Sequence, residues 1–360
     1  MARDIQDDLF GDASENSSGG SSEAGDGARP KRRGRKVLLG FLIFFLVVLV
    51  GVVTAVFLYV NNLSRSFDDN VTALPSASAF PEGDRPADSD GTTILLLGSD
   101  QRPEGGGEQG RAGERADSIM LLHIPPDGGE VYVMSIMRDT WVDIPGVGES
   151  KINSAFQNGG MPLMVETVEG LFGTRVDEVM SVDFEGFEGL TDALGGVTVD
   201  VPQTFSTDDG TTFTQGPMDM DGEEALKFVR ERHAFTDSDY TRVENQRAYI
   251  RALLDRFLDS STLTNPSRIQ DTVDEISPYL TVSEGLDSGY IRGLVPEMVG
   301  TSSSDIHMFT VHTNGVGTSD DGQSVVLPDY DAMKEIGDAM DDGTLDEYYE
   351  QNKDNDGSGL

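Results

Sequence analysis

The chain has 360 residues, a formal net charge of −38 and no cysteine. The absence of cysteine excludes disulfides, thiolate metal sites and a cysteine nucleophile. The strong negative charge argues against nucleic acid as a partner, because phosphate backbones are bound through an excess of Lys and Arg. A hydrophobic fraction of 37% suits one globular core flanked by disordered ends.

Residues 37–60 form an unbroken apolar stretch without a charge. At 1.5 Å per residue a helix of this length reaches about 36 Å, enough to cross a hydrocarbon core of about 30 Å. A cleavable signal peptide is the alternative, but its apolar region is typically only about 7–15 residues long. We therefore predict an uncleaved transmembrane helix over 37–60.

The residues on either side of this stretch predict its orientation. Residues 31–36 carry five Lys and Arg, whereas Asp68 and Asp69 lie shortly after the span. The positive-inside rule then places the N-terminus in the cytoplasm and the chain after residue 60 outside the cell. Residues 1–36, which include a Ser- and Gly-rich stretch, are predicted to be a disordered cytoplasmic tail.

Outside the membrane, we predict a flexible stalk over 61–91, one folded domain over 92–340 and an acidic disordered tail over 341–360. Within the domain, the apolar patterns predict strands at Thr92–Gly98, Ser118–Ile124, Glu130–Met137, Val179–Phe184, Val197–Val201 and His307–His312. Helices are predicted over 161–172, 186–194, 221–232, 241–258, 266–279 and 329–340. This alternation, with one hairpin, predicts an α/β fold: a mixed central β-sheet with helices on both faces, preceded by one transmembrane helix.

The predicted hairpin brings charged residues together at one edge of the sheet. In an antiparallel pair the start of the first strand lies beside the end of the second, so Arg115 and Asp117 should lie close to Arg138. Asp100 follows the strand Thr92–Gly98 and joins the same edge if that strand is antiparallel to the hairpin. Two carboxylates suit Mg²⁺, and the arginines suit phosphate oxygens. Two structural salt bridges at strand ends are the alternative interpretation.

A second group of cations follows in residues 227–256. Arg230 and Arg232 end one predicted helix, while Arg242 and Gln246 share a face of the next. We expect these four side chains to bind a ligand, and we assign structural roles to Arg247, Arg251 and Arg256. Arginines beside a carboxylate pair suit phosphoryl transfer, but they would equally serve a protein that only binds a polyphosphate lipid.

The residues of six blocks resemble the catalytic domain of the LytR–CpsA–Psr family. The blocks are Ile94–Asp100, Arg115–Leu121, Met134–Thr140, Lys151–Phe156, Leu194–Pro202 and Gly222–Arg232. Their order and spacing make the match specific, and the resemblance covers about residues 92–340. The family's fold is an α-β-α domain, which agrees with the fold predicted from the strand and helix patterns.

The resemblance implies an enzyme of the cell membrane. It implies a phosphotransferase that moves a glycopolymer from a polyprenyl-pyrophosphate carrier to a cell-envelope acceptor, a peptidoglycan hydroxyl in bacteria, with Mg²⁺ or Mn²⁺. Asp100 and Asp117 would hold the metal, with Arg115, Arg138 and Asp117 as catalytic residues. The pyrophosphate would be bound by Arg115, Arg138, Arg230, Arg232, Arg242 and Gln246. A polyprenyl-pyrophosphate hydrolase and a non-catalytic envelope-binding or regulatory protein remain alternatives.

Two further features belong to this comparison. Where the family often has Arg-Gln, this chain has Asn245-Gln246, so one expected cation is missing. The resemblance also implies a large hydrophobic pocket for the polyprenyl chain. Apolar helix positions could form its wall or simply belong to the core; they are Val168, Leu171, Phe172, Phe187 and Leu190.

Overall fold

The computed structural model describes residues 33–89, 91–99, 116–126, 128–231, 234–235, 239–294 and 302–353. The chain divides into two compact units after Phe57, and the described residues of the first unit are helical. Within the described residues, one helical segment, Val48–Asn70, is long and apolar enough to cross a membrane. This segment overlaps the span predicted from the sequence.

The secondary structure alternates between helices and strands along the second unit. The α-helices are α1 (Arg33–Asn70), α2 (Ser76–Ala79), α3 (Asn153–Phe172), α4 (Phe184–Ala193), α5 (Gly222–Arg230), α6 (Asp239–Leu258), α7 (Ser260–Leu263), α8 (Pro266–Ile276), α9 (Ser288–Leu294), α10 (Tyr330–Asp342) and α11 (Leu345–Asn352). The first eight strands are β1 (Thr72–Leu74), β2 (Thr92–Ser99), β3 (Ala116–Ile124), β4 (Val131–Ile136), β5 (Trp141–Ile144), β6 (Gly148–Lys151), β7 (Glu178–Asp183) and β8 (Val197–Val201). The remaining strands are β9 (Phe205–Ser206), β10 (Thr212–Phe213), β11 (Gly216–Met220), β12 (Leu280–Ser283), β13 (Ile306–Thr310), β14 (Thr313–Thr318) and β15 (Ser324–Pro328).

A seven-stranded mixed sheet lies at the centre, in the order β1-β12-β7-β2-β3-β4-β13. The predicted hairpin of β3 and β4 is present, and β2 is antiparallel to β3 as the placement of Asp100 required. On its other side β2 is parallel to β7, and β13 is parallel to β4. The predicted mixed α/β fold is therefore confirmed.

Both faces of the sheet are covered, because alternate residues of each strand enter different apolar clusters. Tyr132 and Met134 of β4 pack in one cluster with residues of α3 and α10. Val131 and Val133 of the same strand pack on the opposite side, against residues of α6. A separate cluster joins β8, β11 and α5 to α6, and this places α6 between the main sheet and the smaller β8–β11 sheet.

Helix α3 starts earlier than the pattern over 161–172 predicted. Its helical turns begin at Asn153, but Gly160 adopts a positive φ of 65° and interrupts them. Pro162 follows, where a residue without an N–H is tolerated because a first turn leaves its N–H groups unpaired. The predicted helix corresponds to the part after this kink.

Residues 61–89 do not form the flexible stalk that their composition predicted. Helix α1 continues to Asn70, and β1 adds a strand to the sheet by pairing in parallel with β12. Further on, Arg85 donates hydrogen bonds to the buried carboxylate of Glu169 in α3 and lies over the ring of Phe80. Backbone pairing and a buried ion pair therefore fix this segment to the domain.

The predicted disordered tail over 341–360 is also folded in its described part. Leu345 is buried in the core cluster of α3 and α10, and Tyr348 and Tyr349 pack against that cluster. The ring of Tyr349 lies 4.4 Å from the ring of His307 on β13, centroid to centroid. The two tyrosines and the leucine supply the apolar surface that holds α11 in place, although the surrounding sequence is acidic.

Candidate active site

Asp117 and Arg138 meet at one edge of the central sheet, as the hairpin pattern predicted. Ile119 lies opposite Ile136 in the antiparallel register of β3 and β4, so Asp117 falls opposite Arg138. The Arg138 guanidinium donates a hydrogen bond to the Asp117 carboxylate, and the side chains are only 15% and 19% exposed. This ion pair is thus partly shielded from solvent while it remains accessible at the sheet edge.

A second ion pair lies directly behind the first. The Asp139 carboxylate is 3.2 Å from the Lys151 ammonium and 3.9 Å from Nε of Arg138. The backbone carbonyl of Arg138 accepts a hydrogen bond of 3.2 Å from the N–H of Asn153, the first residue of α3. The β5–β6 hairpin and the start of α3 therefore hold Arg138 in position. Lys151 adds a cation that the sequence reasoning did not select.

Asp183 is a further carboxylate at this edge that the sequence reasoning missed. Ser99, the last residue of β2, pairs with Ala116 on β3 and with Asp183 on β7. Asp183 is 7% exposed and lies near the end of the predicted strand Val179–Phe184, which was the available signal. Asp100 and Arg115, which adjoin Ser99 and Ala116 in the sequence, lie outside the described residues, so their roles stay predictions.

The N-terminal part of α6 packs beside Arg138. Met137, Val243 and Val326 form a small buried cluster, with Tyr240 against it. The Tyr240 hydroxyl hydrogen-bonds to Thr313 at 2.8 Å. Because Met137 precedes Arg138 and Val243 adjoins the predicted ligand residues of α6, this cluster brings the two parts of the candidate site together.

The predicted ligands of α6 are buried at this position. Arg242 is 4% exposed and Gln246 is 5% exposed, and they lie one helical turn apart. A guanidinium offers several N–H donors in a fixed planar arrangement, which suits the oxygens of a phosphate group. Arg230 lies exposed at the C-terminal end of α5, whose first turn is closed by a capping box of Asp221 and Glu224. Arg232 lies outside the described residues.

Two arginines of α6 that were assigned to structure bond to backbone carbonyls. Arg251 donates a hydrogen bond of 3.1 Å to the carbonyl of Ile306, and Arg256 donates one of 3.0 Å to the carbonyl of Leu194. These bonds tie α6 to the edge strand β13 and to the end of α4.

An apolar cavity of about 420 Å³ is lined by later turns of α6, from Ile250 onward. Its lining is contributed by α1, α4, α6, α8 and α9: Leu63, Ser64, Phe67, Leu190, Leu194, Ile250, Leu253, Leu254, Phe257, Thr272, Val273, Ile276, Ser288, Ile291 and Arg292. The Tyr249 hydroxyl hydrogen-bonds to Thr191 of α4 at 2.7 Å. Burial raises the pKa of this hydroxyl, which keeps it neutral between the two helices.

The residues suggested for a pocket wall divide between core and cavity. Leu190 lines the cavity. Val168 and Phe172 are 1% exposed in the core cluster under α3, and Leu171 packs against that cluster. The core interpretation is therefore correct for these three residues. The side chain of Phe187 lies outside the described residues.

The carboxylates at the sheet edge have the chemistry that a hard divalent cation requires. Among the described residues, no group of three or more His, Asp or Glu side chains forms a metal-binding cluster. Mg²⁺ is usually held by one or two carboxylates together with substrate phosphates, so Asp117 fits this mode of binding. Its proposed partner Asp100 lies outside the described residues.

The mixed α/β sheet, the charged sheet edge and the apolar cavity occur in a chain whose sequence matches the LytR_cpsA_psr family. The chain belongs to this family, whose sequence model matches residues 56–342. The family resemblance inferred from the six sequence blocks is thus confirmed.

The chain is similar to named cell-wall proteins. It is 32% identical over 303 residues to the polyisoprenyl-teichoic acid–peptidoglycan teichoic acid transferase TagU of Oceanobacillus iheyensis, a match that covers 81% of this chain and 89% of the relative. It is 28% identical to the cell wall biosynthesis protein LcpA of Corynebacterium glutamicum, covering 73% of this chain and 60% of that protein. Among solved structures, TagV of B. subtilis superposes with a TM-score of 0.59 at 26% identity, covering 72% of this chain and 99% of the other.

Proposed function

We propose that the protein is a membrane-anchored phosphotransferase that moves a glycopolymer from a polyprenyl-pyrophosphate carrier to a cell-envelope acceptor, peptidoglycan in bacteria. The observation that carries this proposal is that α6 has a polar N-terminal part and an apolar later part. Its N-terminal turns bury Arg242 and Gln246, Val243 between them packs against Met137 next to Arg138, and its later turns line the apolar cavity. Such a helix suits a ligand with a charged head and a long hydrocarbon tail.

The dimensions of α6 support one ligand that spans both regions. Gln246 and Ile250 are four residues apart and share a face. Arg242 and Ile250 are separated by about 12 Å along the axis, from a rise of about 1.5 Å per residue. Pyrophosphate held by the cations would therefore place the first isoprenoid units at the cavity. The relatives named as teichoic acid transferases give independent support for this class of substrate.

The proposed reaction is a phosphoryl transfer. An acceptor hydroxyl attacks the phosphorus next to the glycopolymer, the bridging P–O bond of the pyrophosphate breaks, and polyprenyl phosphate leaves. Arg138 and Arg242 would neutralise charge on the phosphate oxygens, which is the main requirement of such a reaction. We assign acceptance of the hydroxyl proton to Asp117. When bound, Mg²⁺ or Mn²⁺ would add positive charge at the phosphates, with Asp100 and Asp117 as ligands.

The orientation of the anchor is part of the proposal. Lys and Arg are concentrated in residues 31–36, before the apolar stretch, which favours a cytoplasmic N-terminus and an extracellular domain. A cell-envelope acceptor would then be on the same side of the membrane as the active site. Protease accessibility of the domain in intact cells tests this orientation.

The test of function uses the full chain in lipid nanodiscs. A polyprenyl-pyrophosphate glycan labelled in the sugar is incubated with peptidoglycan, with Mg²⁺ and with a chelator. We compare the unaltered protein with Arg138→Ala and Asp117→Ala, and with Lys334→Ala as a control, because Lys334 is 69% exposed and pairs with Asp338.

The transferase is supported by labelled peptidoglycan together with polyprenyl phosphate, lost in both site variants and kept in the control. Release of polyprenyl phosphate without labelled peptidoglycan would identify a pyrophosphate hydrolase instead. Tight binding of the lipid without turnover would leave an envelope-binding protein. Activity that persists in the chelator would remove the metal from the proposal while leaving the transfer reaction.

A further inference from the structure

The C-terminal part of α1, residues 58–70, includes the end of the predicted span; it belongs to the second unit and lines the apolar cavity. We call it the wall segment. Leu63, Ser64 and Phe67 of the wall segment line the cavity opposite residues of α4 and α6. Phe67 also packs in the apolar cluster that contains Ile276 of α8 and Ile291 of α9.

A row of polar side chains attaches the wall segment to α8 and α9. Four of its residues make hydrogen bonds: Tyr59 to the carbonyl of Pro266 at 3.0 Å, Asn62 to Gln270 at 3.2 Å, Ser66 to Asp274, and Asp68 to the N–H and hydroxyl of Ser288 at 2.8 and 2.6 Å. The three residues that contact α8 meet partners that follow one another in the same order along α8. The wall segment therefore runs parallel to α8.

The spacing of these contacts fixes which side of the wall segment faces the cavity. Tyr59, Asn62 and Ser66 are separated by three and four residues and therefore share one helical face. Leu63 and Phe67 are four residues apart and form the adjacent face. Because the polar face is attached to α8, the apolar face is directed to the cavity, as its lining shows.

We propose that the wall segment is part of the lipid-binding site, and that Leu63 and Phe67 contact the isoprenoid chain of the donor. This inference rests on the proposed function and extends it. The head of the donor is bound near the N-terminus of α6, and Ile250 to Phe257 receive the first part of the chain. The wall segment receives the remainder, so the enzyme recognises chain length through the helix that anchors it.

The continuity of α1 supports a lipid as the occupant rather than an apolar peptide. The wall residues belong to the same helical segment, Val48–Asn70, that is apolar enough to cross a membrane. A lipid whose chain starts in the bilayer can reach a cavity that is lined by the continuation of this helical segment, Leu63 to Phe67. A peptide would in addition need partners for its backbone N–H and C=O groups, which this lining of mostly aliphatic side chains does not offer.

The experiment compares donors with a short and a long prenyl chain, using the full protein in nanodiscs. The variant Leu63→Gln/Phe67→Gln makes the wall polar, and Asp69→Gln, an exposed position on the same helix, is the matched control. Because the chain has no cysteine, a Ser66→Cys/Asp274→Cys pair added to each background reports by disulfide formation whether the wall segment is still docked.

We expect the wall variant to raise KM for the long-chain donor about tenfold, equivalent to about 1.4 kcal/mol, and to leave the short-chain donor unchanged. The control should match the unaltered protein for both donors, and the disulfide should form in every background. An unchanged KM for the long donor, or an equal rise for both donors, would overturn the inference.

A second readout separates this inference from the proposed function. A photoreactive long-chain polyprenyl phosphate is bound without turnover, and the labelled peptides are identified by mass spectrometry. Labelling of residues 58–70 supports the wall segment as a lipid-binding element even if no transfer is detected. Labelling confined to peptides of α6 and α8 overturns it even if transfer is normal.

Discussion

Asn245 of α6 provides a prediction in which a substitution should stabilise the protein. The side chain is 0% exposed. Within the described part of the chain neither its Nδ2 nor its Oδ1 has a hydrogen-bond partner. Tyr249, one turn further along the same face, lies in the apolar cluster of β8 and α5. The amide is therefore desolvated without compensation, which is unfavourable for the folded state.

We expect Asn245→Leu to increase the free energy of unfolding. Leucine has the same number of side-chain heavy atoms and the same branching, so it can occupy the space without a polar group. An unsatisfied buried polar group costs about 1–3 kcal/mol, and its removal should recover a value in this range. Because 1 kcal/mol shifts the midpoint of a large domain by about 2–4 °C, Tm should rise by about 2–12 °C.

Differential scanning calorimetry and chemical denaturation of the variant test this expectation. Asn245→Asp is the control, because it keeps the shape but adds a carboxyl group that burial destabilises, and its Tm should fall. A lower Tm for Asn245→Leu would refute the reasoning and would indicate that an ordered water satisfies the amide and supports the fold. The family often has arginine at this position, beside the predicted ligand Gln246, so the transfer activity of the variant should be measured in parallel.

Three further predictions concern packing, the ion pair and pH. A Cβ at Gly337 would lie 1.8 Å from the carbonyl oxygen of Phe172, so Gly337→Ala should lower the free energy of unfolding by about 1–3 kcal/mol. Gly170 of α3 has open space around it, so Gly170→Ala should raise the free energy of unfolding by about 0.5–1 kcal/mol. Thermal unfolding measures both. In a double-mutant cycle, Arg138→Met and Asp117→Asn should show a coupling energy of about 0.5–3 kcal/mol, and additive effects on stability would contradict the observed pairing. Burial raises the pKa of the Glu178 carboxyl above its ordinary value. The folded state therefore binds the carboxyl proton more tightly than the unfolded state does, and the protein loses stability as the pH rises from the ordinary pKa through the raised one. Glu178→Gln should therefore gain stability over the unaltered protein more at pH 8 than at pH 4.5, and an equal difference at both values would count against a raised pKa.

Local patterns in the sequence were sufficient for the strands of the site. Two short apolar runs joined by a Pro-Pro-Asp-Gly-Gly turn defined the hairpin, and an antiparallel register then required Asp117 and Arg138 to meet. The capping box at Asp221 likewise marked the start of α5 correctly, because both of its hydrogen bonds are made within four residues.

Other parts of the site depend on contacts between segments distant in sequence. Asp183 reaches the sheet edge only because β7 inserts in parallel beside β2, and nothing local specifies that neighbour. The small strand β12, which the sequence reasoning did not predict, acquires its pairing from β7 and from β1. Strands this short are stabilised by their partners more than by their own residues.

The ends of the domain show the same limit. Acidic, Ser- and Pro-containing composition correctly describes a solvated surface, but it does not reveal that Phe67, Leu345 and Tyr349 each enter an apolar cluster. The sequence by itself determined the long apolar helix, the hairpin and the six sequence blocks of the family, because each depends on residues close together in the chain. The cavity could be recognised only from the tertiary structure. Its walls come from five helices, and their apolar faces enclose a cavity only when the helices are packed together.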